Sequence, residues 1–268
     1  MADLRIVADS AELARAGASE VLGRLVAADR ENRPFRLALS GGRTPGGVYE
    51  ALAAAHEWGG GPVPWSRAEI FWGDERHVPP DHPDSNYRMA REALLSRVPV
   101  PPEQVHRIPA ELESAEDAAS AYERTLRASF GLDPEGGPAA AGVRAPAPGP
   151  ATPAWPRFDL VLLGLGPDGH VASLFPGSDA IRERRRLVVA PWVEHLHAHR
   201  ITLTLPVLDA AACVLFLVSG ADKAETLRAV LEDPSGAVPY PAQLVRPAEG
   251  SAVWIVDRAA AGRLVPRV

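Results

Sequence analysis

The chain has 268 residues, of which 46% are hydrophobic and 23% charged. This composition excludes a disordered chain and allows one α/β domain or two small ones. The net charge of −6 excludes a general nucleic-acid binder, because such a protein needs a basic face to neutralise phosphates. An anionic ligand must therefore be held by a local cluster of basic residues.

The single cysteine and the N-terminal sequence bear on the cellular compartment. Cys213 lies inside the apolar run 213–218, so no disulfide forms within the chain and a buried thiol in a reducing compartment is expected. The N-terminus lacks a basic stretch followed by an apolar one, and no apolar run approaches the roughly 20 residues of a membrane span. We therefore predict a cytoplasmic protein without nucleic-acid or membrane partners, and its oligomeric state stays open.

The apolar periodicity and the turn residues predict alternating helices and strands. In chain order the predicted elements are a helix with Asp9 and Ser10 at its capped start that ends before Pro34, a strand at 35–39, a helix at 45–55, a strand at 69–72, helices at 85–95 and 114–130, strands at 158–164, 187–190, 201–205 and 213–218, a helix at 221–231 and a strand at 252–256. This alternation implies an α/β fold with a mainly parallel, Rossmann-like sheet flanked by helices, and it leaves room for a small subsidiary lobe. Ligands of such sheets gather beyond the carboxyl ends of the strands.

Residues 133–156 are mostly proline, glycine and alanine and contain almost no large apolar side chain. This composition predicts a flexible surface excursion without chemistry, rather than a linker between domains. We therefore predict a single domain over residues 1–268.

The loop 164–170, with the sequence GLGPDGH, follows a nearly continuous apolar strand, and its glycines allow tight turns close to a ligand. His170 is thereby presented at the carboxyl edge of the sheet. Gly164, Gly166 and Gly169 also match the dinucleotide-binding pattern, but Pro176 interrupts any long helix after it, which disfavours a nicotinamide cofactor. A histidine that only completes a turn stays an alternative on these residues alone.

The stretch 164–177, GLGPDGHVASLFPG, closely resembles the signature of the 6-phosphogluconolactonases, which are hydrolases of the oxidative pentose phosphate pathway. Further segments occur in the order that this family shows. They are SGGRTP at 40–45, GDERHVP at 73–79, SNY at 85–87, RITLT at 200–204 and SGADKAETL at 219–227. The resemblance spans nearly the whole chain apart from 133–156. It implies hydrolysis of 6-phospho-D-glucono-1,5-lactone to 6-phospho-D-gluconate without a cofactor or a metal.

The resemblance implies His170 as the general base that activates water, with Asp168 beside it. A δ-lactone is an activated ester, so its hydrolysis needs a base and a donor for the carbonyl oxygen, but no covalent nucleophile. The ordinary pKa of histidine, about 6.5, suits that base. Asp168 either orients the imidazole and keeps it basic or only forms a turn, and the sequence leaves both open.

A phosphate group calls for backbone N–H groups at a helix N-terminus and for Arg or Lys side chains. The residues expected to bind the substrate are Ser40, Gly41, Gly42, Thr44, Arg76, Arg200 and Lys223. The first four form a loop that enters a predicted helix. The resemblance implies Arg200 and Lys223 as phosphate ligands beside this loop, and Arg76 as another substrate contact.

His195, His197 and His199 alternate, and in an extended strand all three would point to one face, a geometry open to a divalent metal. No matching carboxylate cluster is evident in the sequence, and these histidines precede the RITLT segment rather than lying in it. A polar lead-in to the strand is therefore preferred to a metal site.

Two other functions are alternatives. Glucosamine-6-phosphate deaminases resemble this chain in a G-x-G-x-D-G-H segment, and Asp74 matches their proton-shuttling aspartate. Phe175, however, stands where these enzymes have the glutamate that supports ring opening, and Arg76 replaces the tyrosine of their D-E-Y triplet. The second alternative is a non-enzymatic sugar-phosphate sensor, but no basic DNA-binding segment is seen in this acidic chain.

Overall fold

The computed structural model describes residues 3–58, 61–134, 155–233 and 239–265. Over these residues the strands are β1 Asp3–Val7, β2 Phe35–Leu39, β3 Ala68–Trp72, β4 Asp74–Arg76, β5 Leu160–Leu163, β6 Val188–Val189, β7 Trp192–Val193, β8 Ala198–Leu203, β9 Cys213–Val218 and β10 Ser251–Asp257. The α-helices are α1 Ser10–Arg30, α2 Arg43–Trp58, α3 Asn86–Ala90, α4 Ala115–Phe130, α5 Leu205–Asp209, α6 Ala224–Glu232 and α7 Pro241–Leu244. Of the excursion predicted at 133–156, residues 135–154 lie outside the described residues.

A six-stranded sheet with the order β1-β10-β9-β5-β2-β3 forms the centre of the fold, and all of its pairings are parallel. Every residue of β5 and β9 is buried, as expected for central strands covered on both faces. This confirms the predicted α/β fold with a mainly parallel sheet. The parallel pairing brings the carboxyl ends of β2, β3, β5 and β9 to the same edge.

Gly73 joins this sheet to a smaller antiparallel one. Its N–H donates to the Leu39 carbonyl at 2.8 Å, and its own carbonyl accepts from the Leu203 N–H at 2.9 Å. The small sheet has the order β4-β8-β6, and β7 also pairs with β8. The segment 73–77, predicted as a polar loop, therefore contains a strand. Local propensity did not reveal it, because its pairing partner β8 lies more than 120 residues away in sequence.

Other predicted elements are present with different neighbours or ends. The predicted strands at 187–190 and 201–205 exist as β6 and β8, but they belong to the small sheet. The helix predicted at 85–95 changes from α3 to a π-helical turn at Arg91, and the one predicted at 221–231 begins as a 3-10 turn before α6. β1, α5 and α7 were not predicted, since four or five residues show too little of a pattern.

The N-terminal cap predicted for α1 is present, because the Asp9 carboxylate accepts a hydrogen bond of 2.8 Å from the Glu12 N–H. Within the ranges that the structure describes, no helix combines the length and the apolarity that crossing a bilayer requires.

A cluster of aromatic rings packs beneath the edge strand β3. Phe71, on β3, lies 5.5 Å from the ring of Phe130 at the end of α4 and 5.4 Å from Phe158, which precedes β5. The His106 imidazole stacks on the same ring at 4.6 Å. Phe71 is fully buried, so it joins β3 to the end of α4 and to the segment that leads into β5.

Replacing Phe71 by Ala should lower the free energy of unfolding by about 3–5 kcal/mol, because it leaves a cavity among three rings. Urea unfolding followed by circular dichroism measures this loss. Phe71→Leu retains most of the volume and should lose less. A loss below about 1 kcal/mol for the Ala variant would contradict a central packing role for this ring.

Candidate active site

A cavity of about 840 Å³ opens at the edge where the parallel strands end. Its walls are formed by the segments that follow β2, β3, β5 and β9 and by parts of the small sheet. All nine residues that the sequence analysis assigned to catalysis or binding line it: Ser40, Gly41, Gly42, Thr44, Arg76, Asp168, His170, Arg200 and Lys223. These groups are therefore neighbours in the fold, although their segments are spread over more than 180 residues.

The loop after β5 is a tight turn that presents His170 to the cavity. The Gly166 N–H donates to the His170 carbonyl at 2.9 Å, and the Gly169 N–H donates to the Gly166 carbonyl at 3.0 Å. The Thr226 hydroxyl donates to the Pro167 carbonyl at 2.6 Å and thereby ties the loop to α6. A Cβ atom at Gly166 would overlap the His170 imidazole, so only glycine allows the ring this position.

Asp168 and His170 form a hydrogen-bonded pair at the cavity edge. Asp168 Oδ1 lies 2.6 Å from His170 Nδ1 and also accepts the His170 backbone N–H at 3.2 Å. Burial alone would raise the pKa of Asp168, but the hydrogen bond and the charge of the imidazole outweigh burial and lower that pKa. An ionised carboxylate only accepts hydrogen bonds, so the imidazole donates from Nδ1, and in the neutral form of the ring the lone pair lies on Nε2. Of the two roles left open for Asp168, this geometry favours orientation of the imidazole.

Phe175 also packs against the His170 imidazole. Its ring centroid lies 4.3 Å from that of His170 and 5.4 Å from that of His195, and Phe175 itself is buried. The imidazole of His170 thus contacts both a carboxylate and an apolar ring, and only 26% of its side chain is exposed. The sequence analysis used Phe175 only to separate two families, and its contact with His170 was not predicted.

The loop after β2 leads into the N-terminus of α2. Ser40 is buried, and the helix begins at Arg43, has 16 residues and carries no acidic residue in its first turn. The unpaired N–H groups and the dipole at such a terminus attract anions. Gly41 lies so close to the Asn86 carboxamide that a Cβ atom there would overlap it.

Two arginines face each other across the small sheet beside the cavity. Arg76 on β4 is the direct cross-strand neighbour of Arg200 on β8. Burial and the neighbouring charge of Arg76 lower the pKa of Arg200 from its ordinary value. Within the described part of the chain neither guanidinium forms an ion pair, and each donates only to a backbone carbonyl. The carboxylates of Asp74, Asp84 and Glu75 offset this repulsion only in part, and two adjacent cations without an ion-pair partner favour an anionic ligand.

Lys223 lines the cavity and follows a turn that is held by a buried carboxylate. Asp257, at the end of β10, accepts from the Ser219 hydroxyl at 2.5 Å and from the Gly220 N–H at 3.1 Å. Lys223 follows this turn, is 20% exposed and has Asp222 at 3.3 Å as its ion-pair partner.

Several polar residues of the cavity were not among the site residues predicted from the sequence. Asp74 is buried and accepts from the Ser173 hydroxyl at 2.7 Å, and its backbone carbonyl accepts from the Asn86 amide at 2.9 Å. Arg43 also lines the cavity. Each of these residues lies inside a segment that carried the family resemblance, so the segments indicated this part of the site. Residue type alone did not distinguish these side chains from polar groups on the surface.

Glu75 is buried at the N-terminus of α3. Its carboxylate accepts from the backbone N–H groups of Asn86 and Tyr87 at 2.7 and 2.8 Å and from the Ser85 hydroxyl at 3.1 Å. Burial raises the pKa of Glu75 although these N–H groups partly oppose the change. Glu75 fixes the backbone of Asn86, whose side chain contacts both Gly41 and Asp74.

The three alternating histidines do not share a face. His195 lies in a 3-10 turn, His197 takes a left-handed backbone conformation with φ of 44°, and only His199 lies on β8. The alternation would align them only in an extended strand, so the geometry considered for a metal does not form. No cluster of three or more His, Cys, Asp or Glu that suits a metal ion occurs in residues 3–58, 61–134, 155–233 and 239–265.

Comparison with known proteins gives a consistent match over nearly the full length. A family model described as glucosamine-6-phosphate isomerases/6-phosphogluconolactonase matches residues 8–254. A 6-phosphogluconolactonase of Nostoc sp. is 37% identical over 262 residues, which cover 97% of this chain and 98% of that protein. The Homo sapiens 6-phosphogluconolactonase is 40% identical over 229 residues, covering 85% of this chain and 80% of that protein.

Solved structures agree with this match. A 6-phosphogluconolactonase from Trypanosoma cruzi superposes with a TM-score of 0.80 at 30% identity, covering 99% of this chain and 98% of that chain. A monomeric glucosamine-6-phosphate deaminase superposes with a TM-score of 0.76 at 18% identity, covering 97% of this chain and 99% of that chain. At that identity the second likeness concerns the fold alone.

The raised pKa of Glu75 predicts a pH-dependent stability. Because the folded state keeps this proton where the unfolded chain has released it, the free energy of unfolding falls as pH rises from 4.5 through the pKa of the folded carboxyl. Glu75→Gln removes this titration, so its stability relative to the wild type should improve as pH rises over that window. Urea unfolding at several pH values measures the difference.

Glu113→Gln, at an exposed side chain, is the control for removal of one carboxylate, and its difference from the wild type should stay nearly constant. If the difference for Glu75→Gln were equally constant, the carboxyl would not be destabilised by its burial.

Proposed function

The chain belongs to the glucosamine-6-phosphate isomerase/6-phosphogluconolactonase family, and we propose that it hydrolyses 6-phospho-D-glucono-1,5-lactone to 6-phospho-D-gluconate with His170 as the general base. One observation carries the role of His170: the hydrogen bond of 2.6 Å from its ring to Asp168, at the edge of a cavity lined by basic side chains. This bond engages Nδ1 and leaves Nε2 without a partner among the described residues, on a side chain that lines the space where a sugar phosphate would bind.

The proposed reaction begins with proton transfer from water to His170 Nε2. The water oxygen then bonds to C1 of the lactone, and the carbonyl oxygen takes up the negative charge. Collapse of this intermediate breaks the bond between C1 and the ring oxygen, and the imidazolium returns the proton to that oxygen. The Asp168 carboxylate holds the imidazole in position and stabilises its cationic form throughout.

The phosphate would lie between Lys223, Arg200 and the loop of Ser40, Gly41, Gly42 and Thr44 at the start of α2. Lys223 is the only lysine in the sequence, and every other basic side chain among the 28 Lys and Arg is an arginine. A lysine ammonium is a compact charge that reaches a phosphate without the fixed fork of a guanidinium. Arg76 is proposed to contact another part of the substrate.

The arrangement around His170 favours hydrolysis over the deaminase reaction. Ring opening in the deaminases is supported by a glutamate, and Phe175, which stands at that position and contacts His170, has no acid or base for it. The test is hydrolysis of freshly prepared 6-phosphogluconolactone above its spontaneous rate, beside an assay of ammonia release from glucosamine 6-phosphate. Ammonia release without lactone hydrolysis would overturn the proposal.

Replacing His170 by Ala should lower the turnover number by about 100- to 10,000-fold, because a general base typically contributes that much. Binding of 6-phosphogluconate, measured by calorimetry, should change little because His170 does not hold the phosphate. His195→Ala is the matched control, since His195 also lines the cavity and its ring also contacts that of Phe175. Equal activity losses in both variants would speak against a specific role for His170.

Replacing Lys223 by Ala should weaken 6-phosphogluconate binding by about 1–3 kcal/mol, the range for a lost charged hydrogen bond. Hydrolysis of unphosphorylated glucono-1,5-lactone should hardly change. Arg228→Ala serves as the control, because Arg228 lies farther along the adjacent helix α6 and pairs with Glu225. If both lactones were affected equally by Lys223→Ala, this residue would not be a phosphate ligand.

A further inference from the structure

A buried phenol holds the first residue of the loop that leads from β2 into α2. Tyr49, on α2, is fully buried, and its hydroxyl donates to the Ser40 carbonyl at 2.7 Å while accepting from the Ser40 N–H at 2.9 Å. Burial raises the pKa of the phenol, so it keeps the proton that it donates. One hydroxyl therefore satisfies both backbone groups of one residue.

Ser40 depends on this hydroxyl because it lies beyond the end of the sheet. The last pair of β2 with β3 is Leu39 with Trp72. In the part of the chain that the structure describes, the backbone N–H and carbonyl of Ser40 have no other hydrogen-bond partner. Buried backbone groups without partners are strongly disfavoured, so loss of the hydroxyl would force this residue to move towards water.

The residues after Ser40 have little stiffness of their own. Gly41 and Gly42 follow in succession, and Gly42 has a φ of 96°, in the region that favours glycine. The conformation of this loop therefore depends on contacts with residues outside it. The Asn86 side chain packs against Gly41, and the Tyr49 hydroxyl is hydrogen bonded to Ser40.

We propose that Tyr49 is the positioning residue of the anion-binding loop 40–44, and that it sets the affinity for the phosphate of the substrate without touching it. The inference rests on the proposed function, because it assigns the phosphate of that lactone to this loop. The Tyr49 hydroxyl fixes the backbone of Ser40 and thereby the position of the loop N–H groups that follow it. Small displacements of such donors weaken binding considerably.

A second buried tyrosine provides a matched control. Tyr122, on α4, is fully buried and donates to the Trp72 carbonyl at 3.0 Å while accepting from the Trp72 N–H at 2.8 Å. The chemistry is the same, but Trp72 ends the neighbouring strand β3. The next residue, Gly73, is hydrogen bonded to both sheets, so the chain beyond Trp72 is held independently of Tyr122.

The experiment compares Tyr49→Phe with Tyr122→Phe, each of which removes one oxygen atom. Calorimetry gives the Kd for inorganic phosphate and for 6-phosphogluconate, and kinetics give KM and kcat for the phosphorylated and unphosphorylated lactones. Urea unfolding gives the stability of each variant. Hydrogen exchange at the Ser40 amide reports whether the local bond has been lost.

For Tyr49→Phe we expect Kd and KM for the phosphorylated compounds to rise about tenfold, with kcat and the reaction of unphosphorylated lactone within about twofold of the wild type. Tyr122→Phe should lose comparable stability but keep the wild-type Kd and KM. Unchanged phosphate affinity in Tyr49→Phe, or an equal loss in Tyr122→Phe, would overturn the inference. If the wild type failed to hydrolyse the lactone, the proposed function would fail, while the titration with inorganic phosphate would still decide the role of Tyr49.

Discussion

The parallel pairing of β2, β3, β5 and β9 is the constraint on which the cavity depends. It brings four chain segments to one edge of the sheet, and each segment begins where the backbone hydrogen bonds of its strand end. Two of these segments meet the small sheet through Gly73, so that Arg76 and Arg200 face loops from the large sheet. One cavity thereby contains both the His170 imidazole, hydrogen bonded to Asp168, and the basic side chains of Arg76, Arg200 and Lys223.

Strand ends at this edge leave backbone groups that need partners, and the fold supplies buried side chains for them. Tyr49 and Tyr122 form hydrogen bonds with the backbone at the ends of β2 and β3, and Asp257 accepts hydrogen bonds from the turn after β9. The carboxylate of Glu75 does the same for the first N–H groups of α3. Such polar groups are tolerated in the interior because each is hydrogen bonded.

The sequence was sufficient for the features that depend on local pattern. The apolar runs of β5 and β9, the cap at Asp9 and the glycine-rich loop before His170 are visible without coordinates. Features that depend on distant pairing were not predictable. β4 is defined only by its partner β8, and the juxtaposition of Arg76 and Arg200 follows from that register.

Side-chain partners within the interior were also beyond the reach of the sequence. A helical pattern indicates that Tyr49 faces inward, but it does not reveal that the hydroxyl meets Ser40. The alternation of His195, His197 and His199 was misleading, because it places the three side chains on one face only if the backbone is an extended strand.

The single lysine has a practical consequence: apart from an α-amino group, Lys223 carries the only primary amine in these 268 residues. Amine-directed dyes, cross-linkers or resins that do not react with an α-amino group would therefore attach inside the cavity, which makes cysteine chemistry at an introduced exposed site the suitable route for immobilising this protein.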